Sequence, residues 1–534
     1  MTNYLDFFPE NYQPNKQQIH ILTEISKAKS EGYKFVIVNA PTGTGKSLCA
    51  KALANSLDDA PVSFVDFVES GAIYDDEIDC ENYGCYVLTV TKALQTQYGN
   101  LFPDGVVLKG KSNYQCNLSD ILSCDIGECV FDEKRKICSD CPYYVQRNKA
   151  ISSKCSFLSY AMFSSLPANC RNKEILVCDE ASELEDVLVG QNSISFDFSI
   201  LSKIDILDIP VVPRKNSSYD KYIMWLKSFK NEVYTKCEGL RKTLFSKRKG
   251  TNKRQRDIIL FKSLTRLYDL CDKVLSNIKF TEYIIEHEKG VVTFKPYHVG
   301  KIAQDMFKSC DFVVLMSATI IDPENFAKHL GIEKDEFYYI EAESTFDPKK
   351  APIYLSDAIA VTYSNKAVTI PKLAQVAKGI CDKFSSKKGI IHTHTIDITK
   401  ELKRVFGNDH RFLYREPGVT NEMIIDQHIE SVKPTVLVSP SMTHGIDLKG
   451  ELGEFAVIMK APFLPLGDER VKRLCSEDPD WYANKMVSNF IQMCGRTIRS
   501  KSDESQTFVL DATLTNKIIS MKDKLPKYFL DRLV

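Results

Sequence analysis

An apolar, β-branched run, YKFVIVN (33–39), stops at APTGTGKS (40–47), and LCAKALANSL (48–57) continues with helical spacing. A strand that feeds a glycine loop opening a helix fixes the local architecture and implies a parallel α/β layer around it. The loop's chemistry gives the reason. Gly43 and Gly45 let backbone N–H groups turn inward on phosphate oxygens, Lys46 brings a point charge to the β and γ phosphates, and Ser47 offers a hydroxyl to Mg²⁺. Ala40, Pro41, Thr42 and Thr44 complete the nucleotide-binding stretch, with Ala40 standing where the general pattern has its first glycine. A plain turn between strand and helix would need neither the lysine nor the hydroxyl.

Hydrolysis at such a loop requires acids at a nearby strand end. EILVCDEASELEDVL (174–188) supplies them: apolar residues run into Asp179, suited to Mg²⁺, and Glu180, suited to polarising an attacking water. VVLMSATI (313–320) is a third strand ending in a small polar turn, Ser317-Ala318-Thr319. Farther on come KGIIHTHT (388–395), VLVSPSMTHGIDLKGE (436–451), with Asp447 as a further nucleotide-site candidate, and QMCGRTIRS (492–500). Such strand and helix ends are where a parallel sheet presents ligand groups. Arg496 and Arg499 are three apart, so on a helix they share a face from which they could neutralise charge on a γ phosphate; an isolated pair of this kind is more often a solvated basic face. His392 and His394 alternate along a strand, but no nearby Cys or carboxylate completes a metal set.

Five of the 17 cysteines fall between Cys116 and Cys141. Disulfide stapling is expected of small secreted chains, whereas these 534 residues are 43% hydrophobic and can bury several cores. The N-terminus lacks a basic, then apolar, leader and no run reaches the roughly 20 apolar residues that span a bilayer, so the chain is expected in cytoplasm or nucleus, neither secreted nor membrane-bound. With 70 basic and 70 acidic residues, an anionic partner has to be held by local patches. A metal or iron-sulfur site is therefore the expectation for the cysteines. Spacing alone leaves zinc open, and Cys138-x2-Cys141 competes with Cys124-x4-Cys129 for the middle ligands.

The motifs in order, together with VLTVTKALQTQY (87–98), LKGKSNYQC (108–116), CPYYVQRNKA (141–150), DEASELED (179–186) and ESTFDPKKAPI (343–353), resemble the XPD/DinG-like iron-sulfur DNA helicases of superfamily 2 over residues 12 to 512. NYQC followed by CPYY is the most diagnostic pair. The resemblance implies an α/β fold of two RecA-like P-loop motor domains carrying an inserted iron-sulfur domain and a mainly helical arch. The first motor domain would occupy 1–105, 156–195 and 296–345, interrupted by the cluster insertion at 106–155 and the arch at 196–295; the second would occupy 346–534. It further implies ATP, Mg²⁺ and a 4Fe-4S cluster on Cys116, Cys124, Cys129 and Cys141, with Cys138 as the rival middle ligand. Lys46, Asp179, Glu180, Gln492, Arg496 and Arg499 take the catalytic positions. YQPNKQQIHIL (12–22) resembles the adenine-reading glutamine motif, with Gln18 in register and Gln17 adjacent. A glutamine amide can pair with both donor and acceptor edges of adenine.

The implied activity is ATP-driven 5′ to 3′ movement on single-stranded DNA and unwinding of forked duplexes by a monomer, in a setting such as DNA repair. A basic run, SKRKGTNKRQR (246–256), lies between two helical stretches of the arch, 219–245 and 256–278, where it could touch phosphates or simply be a solvated loop. A P-loop kinase would leave the second motor-like half unexplained, and a signalling nucleotide-binding module would need neither Glu180 nor the paired arginines. A translocase that remodels protein–DNA complexes without strong unwinding fits the same residues.

Overall fold

The computed structural model describes residues 2–71, 82–118, 122–127, 140–204, 206–246, 252–362, 364–416, 418–440, 448–498 and 503–534. Strand β1 (Phe35–Asn39) is buried along its whole length and divides its side chains between two cores. Val36 and Val38 join the helices Lys16–Ser30 and Lys46–Asn55 on one face, while Phe35 and Ile37 pack on the other. This is why the strand reads as a continuous apolar run: a parallel sheet covered on both faces has no polar side.

The other strands follow as β2 (Cys85–Thr89), β3 (Val106–Leu108), β4 (Cys155–Ser159), β5 (Lys173–Asp179), β6 (Ile194–Asp197), β7 (Tyr283–Glu288), β8 (Val291–Pro296), β9 (Cys310–Ser317), β10 (Phe337–Glu341), β11 (Ile353–Leu355), β12 (Gly389–His392), β13 (Phe412–Tyr414), β14 (Val436–Ser439), β15 (Phe455–Ile458) and β16 (Gln506–Val509). The first sheet runs β10-β1-β9-β5-β2-β4-β3 and the second β11-β16-β15-β12-β14-β13, with the paired strands parallel in both. In the first order β9 lies between β1 and β5. The glycine loop, the Ser-Ala-Thr turn and the Asp-Glu pair therefore emerge side by side from one sheet edge.

A third, antiparallel sheet, β6-β8-β7, carries a pair of long helices, Tyr219–Ser246 and Asn252–Asn277. They run antiparallel: Lys230 pairs with Asp272, Tyr234 stands 5.7 Å from Tyr268, and the Arg254 guanidinium reaches Leu244 O. Phe196, Trp225, Phe229 and Phe294 form their shared core. The stretch 196–295 is thus less exclusively helical than its sequence periodicity suggests. β7 and β8 are joined by Lys289 and Gly290, both at positive φ, a two-residue turn whose twist matches an antiparallel hairpin.

Although this module leaves and re-enters the chain through the domain of the first parallel sheet, it docks on that of the second. Lys295 bonds Asp468 (2.6 Å) and Glu286 (2.9 Å), Glu469 N donates to Glu286 Oε1 (2.8 Å), and Arg473 makes a forked pair with Glu282 (3.0 and 3.2 Å). Beside it a buried hub joins all three parts. Glu185 accepts from Arg470 Nη2 (2.7 Å) and Trp481 Nε1 (2.8 Å) and lies 3.2 Å from Lys485 Nζ, while Arg470 Nε also donates to Pro296 O and Tyr297 O. Among the described residues no helix is long and apolar enough to cross a membrane.

Burial alone would raise the Glu185 carboxyl, but Lys485 and Arg470 hold it well below the usual carboxylate range. Its stabilising contribution is therefore present above the ordinary glutamate value of about 4.3 and is lost as pH falls through the folded value. Glu185→Gln should cost about 3 to 5 kcal/mol at pH 7 by leaving buried cations unpaired. The difference from wild type should shrink on acidification, as read by urea unfolding with tryptophan fluorescence.

Candidate active site between the two parallel sheets

Gly43 and Gly45 both adopt left-handed backbone, at φ +82° and +83°. A Cβ at Gly45 would stand 2.2 Å from Gln18 Nε2, and one at Gly43 would stand 2.1 Å from the Phe346 ring. Glycine is required twice over, for conformation and for space. The loop is tied to its neighbour by Ala40 N donating to Ser317 O (2.8 Å) and is closed by Thr44 Oγ1 donating to Pro41 O (2.7 Å). Lys46 Nζ is buried and folds back onto Ala40 O (2.9 Å) and Pro41 O (3.5 Å). A phosphate would outbid these neutral carbonyls, since charge-assisted hydrogen bonds are roughly twice as strong.

The two glutamines of the N-terminal motif separate. Gln18 Oε1 accepts from Asn15 N (2.9 Å), closing a capping box, and its Nε2 donates to Gly45 O (3.2 Å). Gln17 instead clamps Glu343, accepting from its N–H (3.0 Å) and donating to its carboxylate (3.3 Å). Sequence register favours Gln18, and the fold sets it against the phosphate loop while Gln17 braces the crossover to the second sheet.

Asp179 ends β5, buried, with Oδ2 accepting from Tyr98 Oη (2.9 Å) and Oδ1 from Glu180 N (3.0 Å). Burial and the neighbouring Glu180 push its pKa up to about 6, against the opposing pull of Lys46 and the Tyr98 hydrogen bond. Glu180 follows at φ +53°, a conformation uncommon outside glycine that turns the chain sharply at the strand end. From this turn a chain of hydrogen bonds crosses the cleft. Ser182 Oγ meets Ser317 Oγ (2.8 Å) and accepts from Thr319 Oγ1 (3.0 Å). Gln492 Nε2 of the second motor donates to Glu183 Oε1 (2.9 Å) and Thr319 Oγ1 (3.4 Å). Gln492, expected among the catalytic residues, is thereby a bridge between the motors.

Arg496 corrects one expectation. The helix Pro479–Cys494 ends before it, with Gly495 as C-cap, so Arg496 is not on a helical face. It sits near His392, whose imidazole is held down to about 3 by burial and by that guanidinium. His394 lies past the end of β12 at φ +60° and bonds Phe463 O (3.0 Å), so the two histidines do not alternate along one strand. A Cβ on Gly495 would come within 3.8 Å of Thr42 Oγ1, which sets the second motor's arginine turn against the phosphate loop. Arg499, Asp447, Cys129 and Cys138 lie outside the described residues.

Sequence reasoning missed Tyr98, Phe346 and Tyr528. Tyr98 holds Asp179, Phe346 covers Gly43, and Tyr528 donates to Ala318 O in the Ser-Ala-Thr turn. The first two stand within quoted motifs, VLTVTKALQTQY and ESTFDPKKAPI; Tyr528 stands in no motif at all.

The described cysteines of the dense segment are Cys116, Cys124 and Cys141, each buried in one core. Cys116 and Cys124 flank an isolated antiparallel bridge between Gln115 and Ser123, with Cys116 N donating to Leu122 O (3.0 Å) and Cys124 N to Tyr114 O (2.8 Å). Cys141 caps the helix Pro142–Ser152, and its Sγ lies 3.8 Å from that of Cys124, well beyond disulfide length. A Cβ on Gly127 would approach Cys116 Sγ to 2.9 Å. Among the described residues no group of three or more ligands is gathered closely enough to hold a metal ion. The donor chemistry fits a thiolate-bound centre, with a converging pair already formed.

A phosphate loop, an acidic strand end and a second parallel sheet bridged to both make up a two-sheet P-loop architecture. Residues 383–531 match the family described as helicase C-terminal domain. A solved XPD helicase superposes with a TM-score of 0.62 at 15% identity, covering 98% of this chain and 99% of that one. An apo XPD gives 0.56 at 14% identity, covering 94% and 97%. Xpd4 of S. tokodaii gives 0.53 at 14% identity, covering 95% and 98%. No curated protein sequence is significantly similar. Residues 383–531 thus resemble a helicase C-terminal domain, and the chain as a whole shares the fold of the solved XPD structures.

The Mg²⁺-holding role expected of Asp179 requires the ionised carboxylate, so any nucleotide hydrolysis that depends on it should lose kcat/KM as pH drops through about 6. Tyr98→Phe deletes a hydrogen bond that lowers this value. Its acid limb should move upward by about one pH unit in a pH–rate profile.

Proposed function

We propose that the chain is an ATP-dependent DNA helicase that moves 5′ to 3′ on single-stranded DNA and opens forked duplexes. The observation that carries this reading is the hydrogen-bond chain from Glu183 and Ser182 through Thr319 to Gln492, because it links the acidic turn of one motor to the arginine turn of the other. A nucleotide-binding module without motion has no need of such a bridge.

In this mechanism Lys46 leaves the loop carbonyls for the β and γ phosphates, and Asp179 with Ser47 would hold Mg²⁺, which would supply positive charge to the phosphate oxygens. Glu180 takes a proton from water as the water oxygen bonds to the γ phosphorus. The bond from that phosphorus to the bridging oxygen of ADP breaks, and Arg496 and Arg499 neutralise the developing charge. Gln18, released from Gly45 O, is the adenine-reading candidate of its motif, and Asp447 a further nucleotide contact. Phosphate release loosens the bridge at Gln492, so the grip of the two motors on the DNA backbone alternates.

Cys116, Cys124, Cys129 and Cys141 would hold a 4Fe-4S cluster that cross-links the 106–155 insertion. With the helical module as arch, that insertion would guide or split the strands. A second reading has a specific support: two thiolates on one tetrahedral zinc with 2.3 Å bonds stand about 3.8 Å apart, which equals the Cys124–Cys141 separation of 3.8 Å. Replacement of strong unwinding by remodelling of protein–DNA complexes would use the same motor.

Anaerobically purified protein should contain about four irons and four sulfides per chain with a broad band near 400 nm, and single-stranded DNA should raise its ATPase rate. Glu180→Gln should keep ATP binding while losing about 10²- to 10⁴-fold in turnover. One zinc without iron would transfer the cysteines to the second reading, and DNA-independent ATPase would remove the helicase.

A further inference from the structure

The helix Pro479–Cys494 shows one face to each parallel-sheet domain. Ala483, Met486, Val487, Phe490 and Met493 enter the core beside the second sheet, so the helix moves with that domain. Trp481, Asn484, Lys485, Ser488 and Gln492 follow at steps of three and four and form the stripe turned toward the first-sheet domain. The quality of contact changes along that stripe. At its N-terminal end the domains exchange two buried carboxylates. Glu185 of the first-sheet domain receives Arg470, Trp481 and Lys485, and Lys485 Nζ also donates to Asp186 Oδ2 (2.8 Å). Asp478 of the second-sheet domain caps the helix by accepting from Trp481 N (3.0 Å). It accepts in turn from Asn325 Nδ2 (2.9 Å) and Lys328 Nζ (3.2 Å), with His329 Nε2 at 3.1 Å.

Halfway along, the packing opens. A cavity of about 50 Å³, room for a few waters, is lined by Thr319, Ile320 and Ile321 from one domain and by Asn484 and Ser488 from the other. Asn484 Oδ1 is buried without a partner. Toward the C-terminal end Gln492 holds on through one nitrogen, at 2.9 Å from Glu183 Oε1 and 3.4 Å from Thr319 Oγ1, while its own Oε1 is buried unpartnered. Gly495 and Arg496 follow, set against Thr42 of the phosphate loop. Pulling the first end apart would strand buried charges, whereas the second end loses only one amide's hydrogen bonds.

We infer that this helix is a lever: its N-terminal end, clasped by Glu185 and Asp478, is the pivot on which the two domains turn, and its C-terminal end carries the arginine turn toward and away from the phosphate loop. The inference rests on the reading of those two turns as one nucleotide site. Lys485 and Cys494 are nine residues apart, about 14 Å at the α-helical rise. A rotation of about 5° at the pivot therefore shifts the arginine turn by about 1 Å, enough to take a hydrogen bond from ordinary length to broken. The cleft opens without separation at the clasp. Glu185 and Asp478 are then positioning residues that aim Arg496 through the helix between them.

Hydrogen–deuterium exchange read by mass spectrometry tests this on the full chain, without nucleotide, with ADP and Mg²⁺, and with a non-hydrolysable ATP analogue and Mg²⁺. Amides in 41–48 and 492–498 should change exchange rate by about tenfold or more between states, while those in 323–330 and 478–485 change by less than about twofold. Asp478→Asn should raise exchange in 323–330 in every state and lower ATP turnover several-fold, with affinity for the analogue unchanged. Lys328→Ala removes an exposed side chain that reaches the same carboxylate. It should move both readouts the same way by less, and it answers the question if Asp478→Asn does not fold. Loosening of 323–330 or 478–485 in step with 492–498 overturns the lever. So does a response at 41–48 with 492–498 unmoved, or wild-type turnover in both variants. Silence of 41–48 toward both nucleotides removes the nucleotide reading, and the lever with it.

Discussion

Placing one buried lysine at the start of the helix after β1 and one buried carboxylate at the end of β5, with only β9 between the two strands, is the constraint on which the rest of the molecule depends. Lys46 can be buried because two loop carbonyls and a nearby acid receive it, and Asp179 because a tyrosine, a backbone amide and that lysine offset its desolvation. Neither group is settled as well as it would be with a phosphate and a metal between them. The β1-β9-β5 order, the left-handed turn at Glu180 and the bond from Ala40 N to Ser317 O all serve to hold this pair apart yet in reach. A fold that collapsed the gap would pair the charges and lose the site.

What could be read in the sequence follows from how local each signal is. The phosphate loop, the Asp-Glu pair and the Ser-Ala-Thr turn are each contiguous runs whose strand context is printed beside them, so both their existence and their strand-end placement were legible. Arg496 was misread because a glycine cap terminates the helix one residue earlier, and helical periodicity carries no information about where capping wins over propagation. Tyr98 reaches Asp179 from 81 residues away and Tyr528 reaches Ala318 from 210, separations that have no local signature. The hairpin at Lys289-Gly290 has one, a two-residue glycine turn between β-rich runs, but the two long helices that precede it dominate the periodicity of that segment.

The same distinction separates the two insertions. The helical pair declares itself through apolar spacing, whereas its docking on the second motor rests on Lys295, Glu282, Glu286 and their partners, charges that look like ordinary surface residues until the fold brings them together. The cysteines declare an affinity for soft metals, yet their spacing does not say which thiols converge; Cys124 and Cys141, 17 residues apart, come to 3.8 Å.

That docking has a mechanical consequence. The helical module is spliced into the domain of the first sheet through Leu184–Gln191 on one side and Gly300–Phe307 on the other, but its sheet is moored to the domain of the second by ion pairs with Asp468 and Arg473 and by a hydrogen bond from Glu469 N. It spans the cleft as a strut spans a joint. Any rotation of one parallel-sheet domain against the other would have to be absorbed at those two stems or along the charged mooring, where the helices of 28 and 26 residues are rooted.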